Sequence, residues 1–228
     1  FYGTIDGELF SQVIVDAIIA NGNVLDPAVV AEGDTGINLF TNGVTTRTRG
    51  AELMFSYLTE FDSVSVDWSI SANYNKTDVI KVRDTPEEFG TEQALFDKEA
   101  LADLETTMPR YVVNLGANFE WERFSLGLHE MFYGESSDFD NEPGVDYFKN
   151  TVGAAAITNL ELAFKATDSV TLSLGGTNVF DQMPDKRNAT HRAIQFGNGD
   201  NSAVAQYPSF SPFGINGAYY YGKLTFKF

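Results

Sequence analysis

An antiparallel transmembrane β-barrel is the fold class that three observations in this sequence predict. The first is period-two alternation of unusual length. From Val64 to Asn75, Val64, Val66, Trp68, Ile70, Ala72 and Tyr74 share one face, while Ser65, Asp67, Ser69, Ser71, Asn73 and Asn75 share the other. A strand of a soluble sandwich usually ends after about 5–6 residues, whereas a strand that crosses a bilayer needs about 9–11. The second is the spacing of connections. Short turns fall near 59–63, 120–123 and 166–169, and long polar connections near 20–36, 82–107, 137–151 and 181–213. Outer-membrane barrels have this asymmetry, short on the periplasmic side and long outside. The third is aromatic clustering toward the short turns, at Tyr57, Phe61, Phe119, Trp121, Phe124, Phe164, Phe226 and Phe228. Such residues form girdles at the headgroup level.

Taken in order, the pattern predicts about eight strands of a barrel wall. The stretch 1–19 is the least regular, because Val13 to Ile19 is nearly continuously apolar. In the next strand Ala51, Leu53, Phe55 and Tyr57 oppose Glu52, Met54 and Ser56; Arg47 and Arg49 share the apolar parity, so the strand bulges or has left the lipid there. After the 64–75 strand, Tyr111, Val113, Leu115, Ala117 and Phe119 alternate with Val112, Asn114, Gly116, Asn118 and Glu120. Phe124, Leu126 and Leu128 then put Glu130 on the lipid side, unless a bulge re-aims it or it stands above the bilayer. Thr158, Leu160, Leu162 and Phe164 alternate with Asn159, Glu161, Ala163 and Lys165, and Val170, Leu172 and Leu174 with Thr171, Ser173 and Gly175. The last strand sets Ala218, Tyr220, Leu224, Phe226 and Phe228 against Tyr219, Tyr221, Lys223, Thr225 and Lys227. A soluble sandwich or propeller remains the alternative, since Asn, Ser, Glu and Lys suit plain solvent as well as a lumen.

Composition narrows the function classes. The 228 residues carry 32 acidic and 15 basic side chains, a net charge of −17. A nucleic-acid partner is therefore not expected, because phosphate contacts need a Lys/Arg surplus. Zero cysteines leave no disulfide framework, thiolate zinc site or Cys nucleophile. No apolar run approaches the roughly 20 residues of a spanning helix. The chain opens on Phe1 inside a strand-like pattern, with neither a basic nor an apolar leader region. It reads as the C-terminal piece of a longer protein.

Three stretches resemble the barrel of TonB-dependent receptors, the gated importers of the Gram-negative outer membrane. They are Phe40 through Thr46-Arg47-Thr48-Arg49-Gly50-Ala51-Glu52-Leu53; Leu172 through Gly175-Gly176-Thr177-Asn178-Val179-Phe180-Asp181 with Pro184-Asp185; and Ser211-Pro212-Phe213-Gly214 through the terminal Phe228. The resemblance implies a barrel of about 22 strands around an N-terminal plug, with residues 1–228 supplying its last strands and the plug and earlier strands lying upstream. It also implies partners: the plug and remaining strands, the TonB complex reached through the N-terminal region, outer-membrane lipid and lipopolysaccharide, and a small-molecule ligand. Phe228 resembles the signal read by the barrel-assembly machinery.

Site expectations follow from placement. Asp67, Asn73, Asn114, Asn118, His129, Glu161, Lys165 and Lys223 face inward, toward a plug or a wet channel. Arg187, His191, Arg192, Phe196 and Tyr207 fall in the last long loop with Phe210 and Phe213, where basic and aromatic groups suit an anionic, catechol-like or sugar-like ligand. Packing within the loop explains the aromatics equally well. The acids Glu87, Glu88, Glu92, Asp97, Glu99, Asp103 and Glu105 suit a lid or, more simply, a solvated face among lipopolysaccharide, and Leu95 to Leu104 has helical spacing. Glu135, Asp138, Asp140, Glu142 and Asp146 bring oxygen ligands but not the spacing of a Ca²⁺ loop, so no metal site and no cofactor is expected. The two histidines, His129 and His191, stand far apart without a Ser or Asp arrangement, and the glycine-rich runs lack a phosphate-loop context. The expectation is thus a non-enzymatic transport receptor of the outer membrane, importing a ferric siderophore, an oligosaccharide or a similar scarce ligand. A self-contained eight-stranded barrel with a structural or adhesive role is the alternative. Small inward residues such as Ser65, Ser69, Ser71, Gly116 and Gly175 fill so narrow a lumen poorly. An outer-membrane hydrolase would require a Ser–His or metal constellation that the sequence does not offer.

Overall fold

Alternation with one apolar and one polar face builds a sheet, and a seven-stranded antiparallel sheet dominates the computed structural model. The structure describes residues 2–4, 38–40, 43–84, 96–142, 145–199 and 201–228. In chain order the elements are β1 (Tyr2–Thr4), β2 (Asn38–Phe40), β3 (Val44–Glu60), β4 (Val64–Val82), α1 (Lys98–Glu105), β5 (Tyr111–Trp121), β6 (Phe124–Tyr133), β7 (Ser136–Glu142), β8 (Val145–Val152), β9 (Ala155–Thr167), β10 (Val170–Thr177), α2 (Ala189–Gly197), a 3₁₀ turn (Asn201–Val204) and β11 (Tyr219–Phe226). The large sheet runs β11-β10-β9-β6-β5-β4-β3. It is a meander except where the β7–β8 hairpin is looped out between β6 and β9. Seven of the expected strands are thus present. The first, 1–19, lies outside the described residues apart from Tyr2–Thr4, which pairs with Asn38–Phe40. Glu87, Glu88 and Glu92 lie outside them as well.

Two compact units divide the chain, residues 1–47 with 78–101 and residues 48–77 with 102–228. In the smaller, the Arg83 amide donates to the Gly43 carbonyl at 2.7 Å, and the buried Phe96 ring occupies the space a Cβ at Gly43 would need. In the larger, register fixes the two faces. Val66, Trp68, Ile70 and Ala72 pair with Phe119, Ala117, Leu115 and Val113. The same face continues through Phe119↔Leu126 and Ala117↔Leu128, Leu126↔Leu162, Leu162↔Leu174 and Leu172↔Leu224. Many of its large side chains are open, although Val66 and Ala117 are buried: Leu53 is 59% exposed, Leu162 44% and Leu174 70%. Each large apolar side chain left in water forgoes roughly 1.5–3 kcal/mol of burial, and a contiguous patch of this kind needs an apolar surround. The short-turn end carries the aromatic ladder Trp121–Phe124–Phe164, with ring centroids 5.7 and 4.8 Å apart.

β4 has 19 residues, about 60 Å at 3.3 Å per residue, more than a bilayer crossing uses. Its surplus lies at the end of the long connections, as do Arg47 and Arg49 of β3. α1 forms where the sequence has helical spacing, its first turn capped by Asp97, whose Oδ1 accepts from the Ala100 amide at 2.8 Å.

Two expectations gain detail. The long polar connection near 137–151 contains the hairpin β7–β8, pairing Asp138↔Asn150 and Asp140↔Phe148; its polar composition hid the pairing. Glu130 is not re-aimed by a bulge, because β6 keeps unbroken register with both neighbours. It stands on the apolar face between Leu115 and Thr158, and Thr158 Oγ1 donates to Glu130 Oε2 at 2.6 Å.

Candidate functional site

The polar face of the sheet carries one side-chain cluster and a hollow of about 650 Å³. Glu161 of β9 accepts from Tyr221 Oη at 2.6 Å and from Lys223 Nζ at 3.2 and 3.3 Å. Gly175, between these strands, is bare because the Tyr221 phenol lies across it, 2.5 Å from where a Cβ would stand. Gly116 is bare for the same reason, under Ser69 and His129. Asp67 pairs across with Asn118, Asn114 with Ser71, and His129 with Asn159. Asn73 Nδ2 donates to Glu52 Oε1 at 2.9 Å. Lys165 lies near the 168–169 turn, opposite Thr171.

At the other end of the sheet, the exit of β10 is held by its own side chains. Asn178 adopts φ +50°, a left-handed conformation that Asn tolerates. Its Oδ1 accepts from the Gln182 amide and its Nδ2 donates to the Gln182 carbonyl, both at 2.8 Å. Asp181 Oδ1 accepts from the Ala218 amide at 2.9 Å, and Asp185 Oδ2 from the Gly153 amide at 2.8 Å. Asn178 thus closes the loop on itself, and Asp181 and Asp185 tie it to the segments before β11 and β9.

Beyond this exit, α2 starts at Asn188, whose Oδ1 accepts from the Thr190 and His191 amides at 2.9 and 3.2 Å, an ordinary N-cap. That start brings His191 onto the β7–β8 hairpin. Its ring is fully buried, stacked on Phe148 at 4.9 Å and 9°, with Nδ1 3.4 Å from Asp140 Oδ2. Arg187 also reaches Asp140 Oδ2 at 3.4 Å and donates to Gln195 Oε1 at 2.9 Å. Asn150 Nδ2 donates to the same Asp140 oxygen, while its Oδ1 accepts from the Asn188 amide at 3.0 Å. Arg187 and His191 therefore converge on a carboxylate inside the loop's own core. Arg192 and Tyr207 are half-buried and Phe196 is exposed. Phe228 is exposed just past β11. Asp140, Phe148, Asn150 and Gln195 are the residues that sequence reasoning did not connect with this loop. Among the described residues no group of three His, Cys, Asp or Glu is placed to hold a metal ion, and the side chains of Glu142 and Asp146 lie outside that description.

Alanine at Asp140 is expected to loosen this loop by about 1–3 kcal/mol, since it strips an acceptor from three polar partners, all with little solvent access. Amide exchange over 187–197 should accelerate while β5, β6 and β9 keep their protection. Unchanged exchange there means that other contacts hold the loop.

The sequence model of the family described as TonB-dependent receptor-like, beta-barrel, matches residues 1–179. The chain belongs to the TonB-dependent receptor β-barrel family. These proteins are transport receptors of the Gram-negative outer membrane. Among solved structures, the TonB-dependent receptor chain is similar to Pseudomonas aeruginosa FpvA in an iron–pyoverdine complex, with 16% identity and a TM-score of 0.47 over 73% of this chain and 19% of FpvA. It is also similar to a mutant of the ferric enterobactin receptor PfeA from the same organism, with 15% identity and a TM-score of 0.44 over 78% of this chain and 22% of PfeA. The chain spans about a fifth of the length of these receptors. No curated protein sequence matches it.

Proposed function

We propose that this chain forms the C-terminal strands of an outer-membrane active-transport receptor of a Gram-negative bacterium, which imports a scarce ligand such as a ferric siderophore or an oligosaccharide with energy delivered through TonB. The observation that carries this reading is a two-faced seven-stranded sheet, six of whose strands lie inside the family match, with one face apolar and largely open and the other polar. In this reading the open face meets lipid, and the loop end meets lipopolysaccharide. Asp67, Asn73, Asn114, Asn118, His129, Glu161, Lys165 and Lys223 line the lumen and hydrogen-bond the N-terminal plug, with earlier strands completing the wall. Arg192, Phe196 and Tyr207 face the ligand. Arg187 and His191 act one step back, by holding the loop that presents them. Phe228 is the residue recognised by the barrel-assembly machinery. The chain performs no chemistry on its ligand; capture by the loops is followed by displacement of the plug.

The test is uptake by cells carrying the whole receptor, with and without a functional TonB. Accumulation of the radiolabelled ligand should cease without TonB, while binding at the cell surface persists. Equal accumulation in both strains points to passive diffusion through a porin and sinks the proposal.

A further inference from the structure

At its loop end the apolar face of the sheet carries two tyrosines and, one row beyond them, an arginine. Tyr74 of β4 pairs with Tyr111 of β5, and the two are 46% and 43% exposed. Gly134 is bare because the Tyr111 ring lies across it, 2.9 Å from where a Cβ would stand, so that ring is seated on the wall itself. β3 runs beside β4, and side chains fix how. Thr48 Oγ1 and Thr77 Oγ1 are 2.9 Å apart, and Asn73 Nδ2 donates to Glu52 Oε1, both contacts on the polar side. The odd residues of β3 therefore lie on the apolar side, with Ala51 beside Tyr74 and Arg49 beside Lys76. Lys76 is half-buried and has an interaction of its own. Arg49 is exposed.

Height decides what these groups meet. Tyr74 stands ten residues beyond Val64, about 24 Å above the short-turn end at the usual strand rise and tilt, where an apolar band about 25 Å tall runs out. Tyrosine suits that level, its ring at the acyl boundary and its hydroxyl in the polar layer. Arg49, one row higher at about 29 Å, has left the hydrocarbon but remains on the outer side of the wall. A guanidinium there escapes the cost of a charge in lipid, and its fork of donors matches the oxygens of a phosphate. The two phenols beneath it can donate as well. Phosphate is the anion an outer leaflet presents at this height, on the sugar headgroup of lipid A. General attraction is not the cause, because a chain of net charge −17 is repelled by an anionic surface. Placed groups must supply the contact.

Resting on the outer-membrane receptor reading and deepening it, we infer that Arg49, with Tyr74 and Tyr111, holds a phosphate group of lipid A against the outer surface of the barrel. The tyrosine rings lie along the acyl chains, and the guanidinium binds the headgroup above them.

The experiment is native mass spectrometry of the whole receptor in detergent micelles, titrated with bisphosphorylated lipid A, with the same lipid stripped of both phosphates, and with inorganic phosphate as competitor. The phosphorylated lipid should bind about fivefold more tightly than the stripped one, the factor that one basic side chain contributes near a charged lipid. Arg49→Gln should remove most of that preference and leave binding of the stripped lipid unchanged. Tyr111→Phe, which keeps the ring and loses the hydroxyl, should lower the preference about twofold. Lys186→Gln, at an exposed cation elsewhere in the loops, should change nothing. Equal binding of the two lipids, or an Arg49→Gln receptor with the parent's preference, overturns the inference. So does an equal loss in Lys186→Gln, which means diffuse electrostatics, or ready displacement of the lipid by inorganic phosphate, which means a site for the free anion. The transport reading stands or falls separately, on whether ligand uptake requires TonB.

Discussion

Lysine in place of Ile70 is expected to lower folding stability in a bilayer by about 2–4 kcal/mol, and lysine in place of the next residue, Ser71, by less than about 1 kcal/mol. The two differ only in face. Ile70 pairs with Leu115 on the open apolar side, and Ser71 with Asn114 on the polar side. Depth makes the first cost large. β4 leaves the 61–63 turn at Val64, so Ile70 stands six residues on, about 15 Å above the turn at the usual strand rise and tilt. That is near the middle of an apolar band about 25 Å tall. A charge in a sandwich core is costly too, so depth is the discriminating variable. Lysine at Val64, near the headgroups, should cost only about 0–1 kcal/mol in a bilayer, whereas a second protein sheet penalises both positions alike. Urea unfolding of the whole receptor in lipid vesicles, followed by tryptophan fluorescence, measures all three. Equal losses at Val64 and Ile70 would falsify lipid contact on this face.

The strands were legible because lipid and lumen impose opposite demands on neighbouring residues. Over Val64–Tyr74 every residue obeys one of them, and the pairing of β4 with β5 keeps that parity, apolar against apolar. The β7–β8 hairpin escaped because its pairs are polar or mix polar with apolar: Asp138 faces Asn150, and Phe139 faces Lys149, so no alternation marks a buried side. The loop core escaped for a different reason. Asp140 and His191 meet across about fifty residues of chain, and no local pattern announces that His191 will stack on Phe148. Basic and aromatic residues look the same in sequence whether they grip a ligand or pack a loop; only burial distinguishes Arg187 and His191 from Phe196. Asn178, Asp181 and Asp185 were recognisable as parts of a family motif; Asn178 ties locally to Gln182, whereas the backbone ties of Asp181 to Ala218 and of Asp185 to Gly153 depend on segments distant in sequence being brought alongside.

Valine at Thr158 is expected to destabilise the barrel by about 1–3 kcal/mol, although it matches threonine in shape and is the more apolar of the two. The reason is Glu130. Its carboxyl stands on the apolar face between Leu115 and Thr158, six residues above Phe124 of the aromatic ladder and so close to the depth of Ile70. The hydroxyl of Thr158, itself buried, is its hydrogen-bond donor. Removing that donor leaves an ionisable group in hydrocarbon without a partner, the situation membranes penalise most. Leucine at Glu130 works in the opposite direction, because it removes the costly group itself and restores the apolar band; stability should hold or rise. The double variant, Glu130→Leu with Thr158→Val, should then be at least as stable as the parent, so the two substitutions are strongly non-additive. Unfolding in vesicles of the two single variants and the double variant gives the coupling directly. A neutral Thr158→Val, or a double variant as unstable as Thr158→Val alone, means that Glu130 reaches water and that the lipid boundary lies below it.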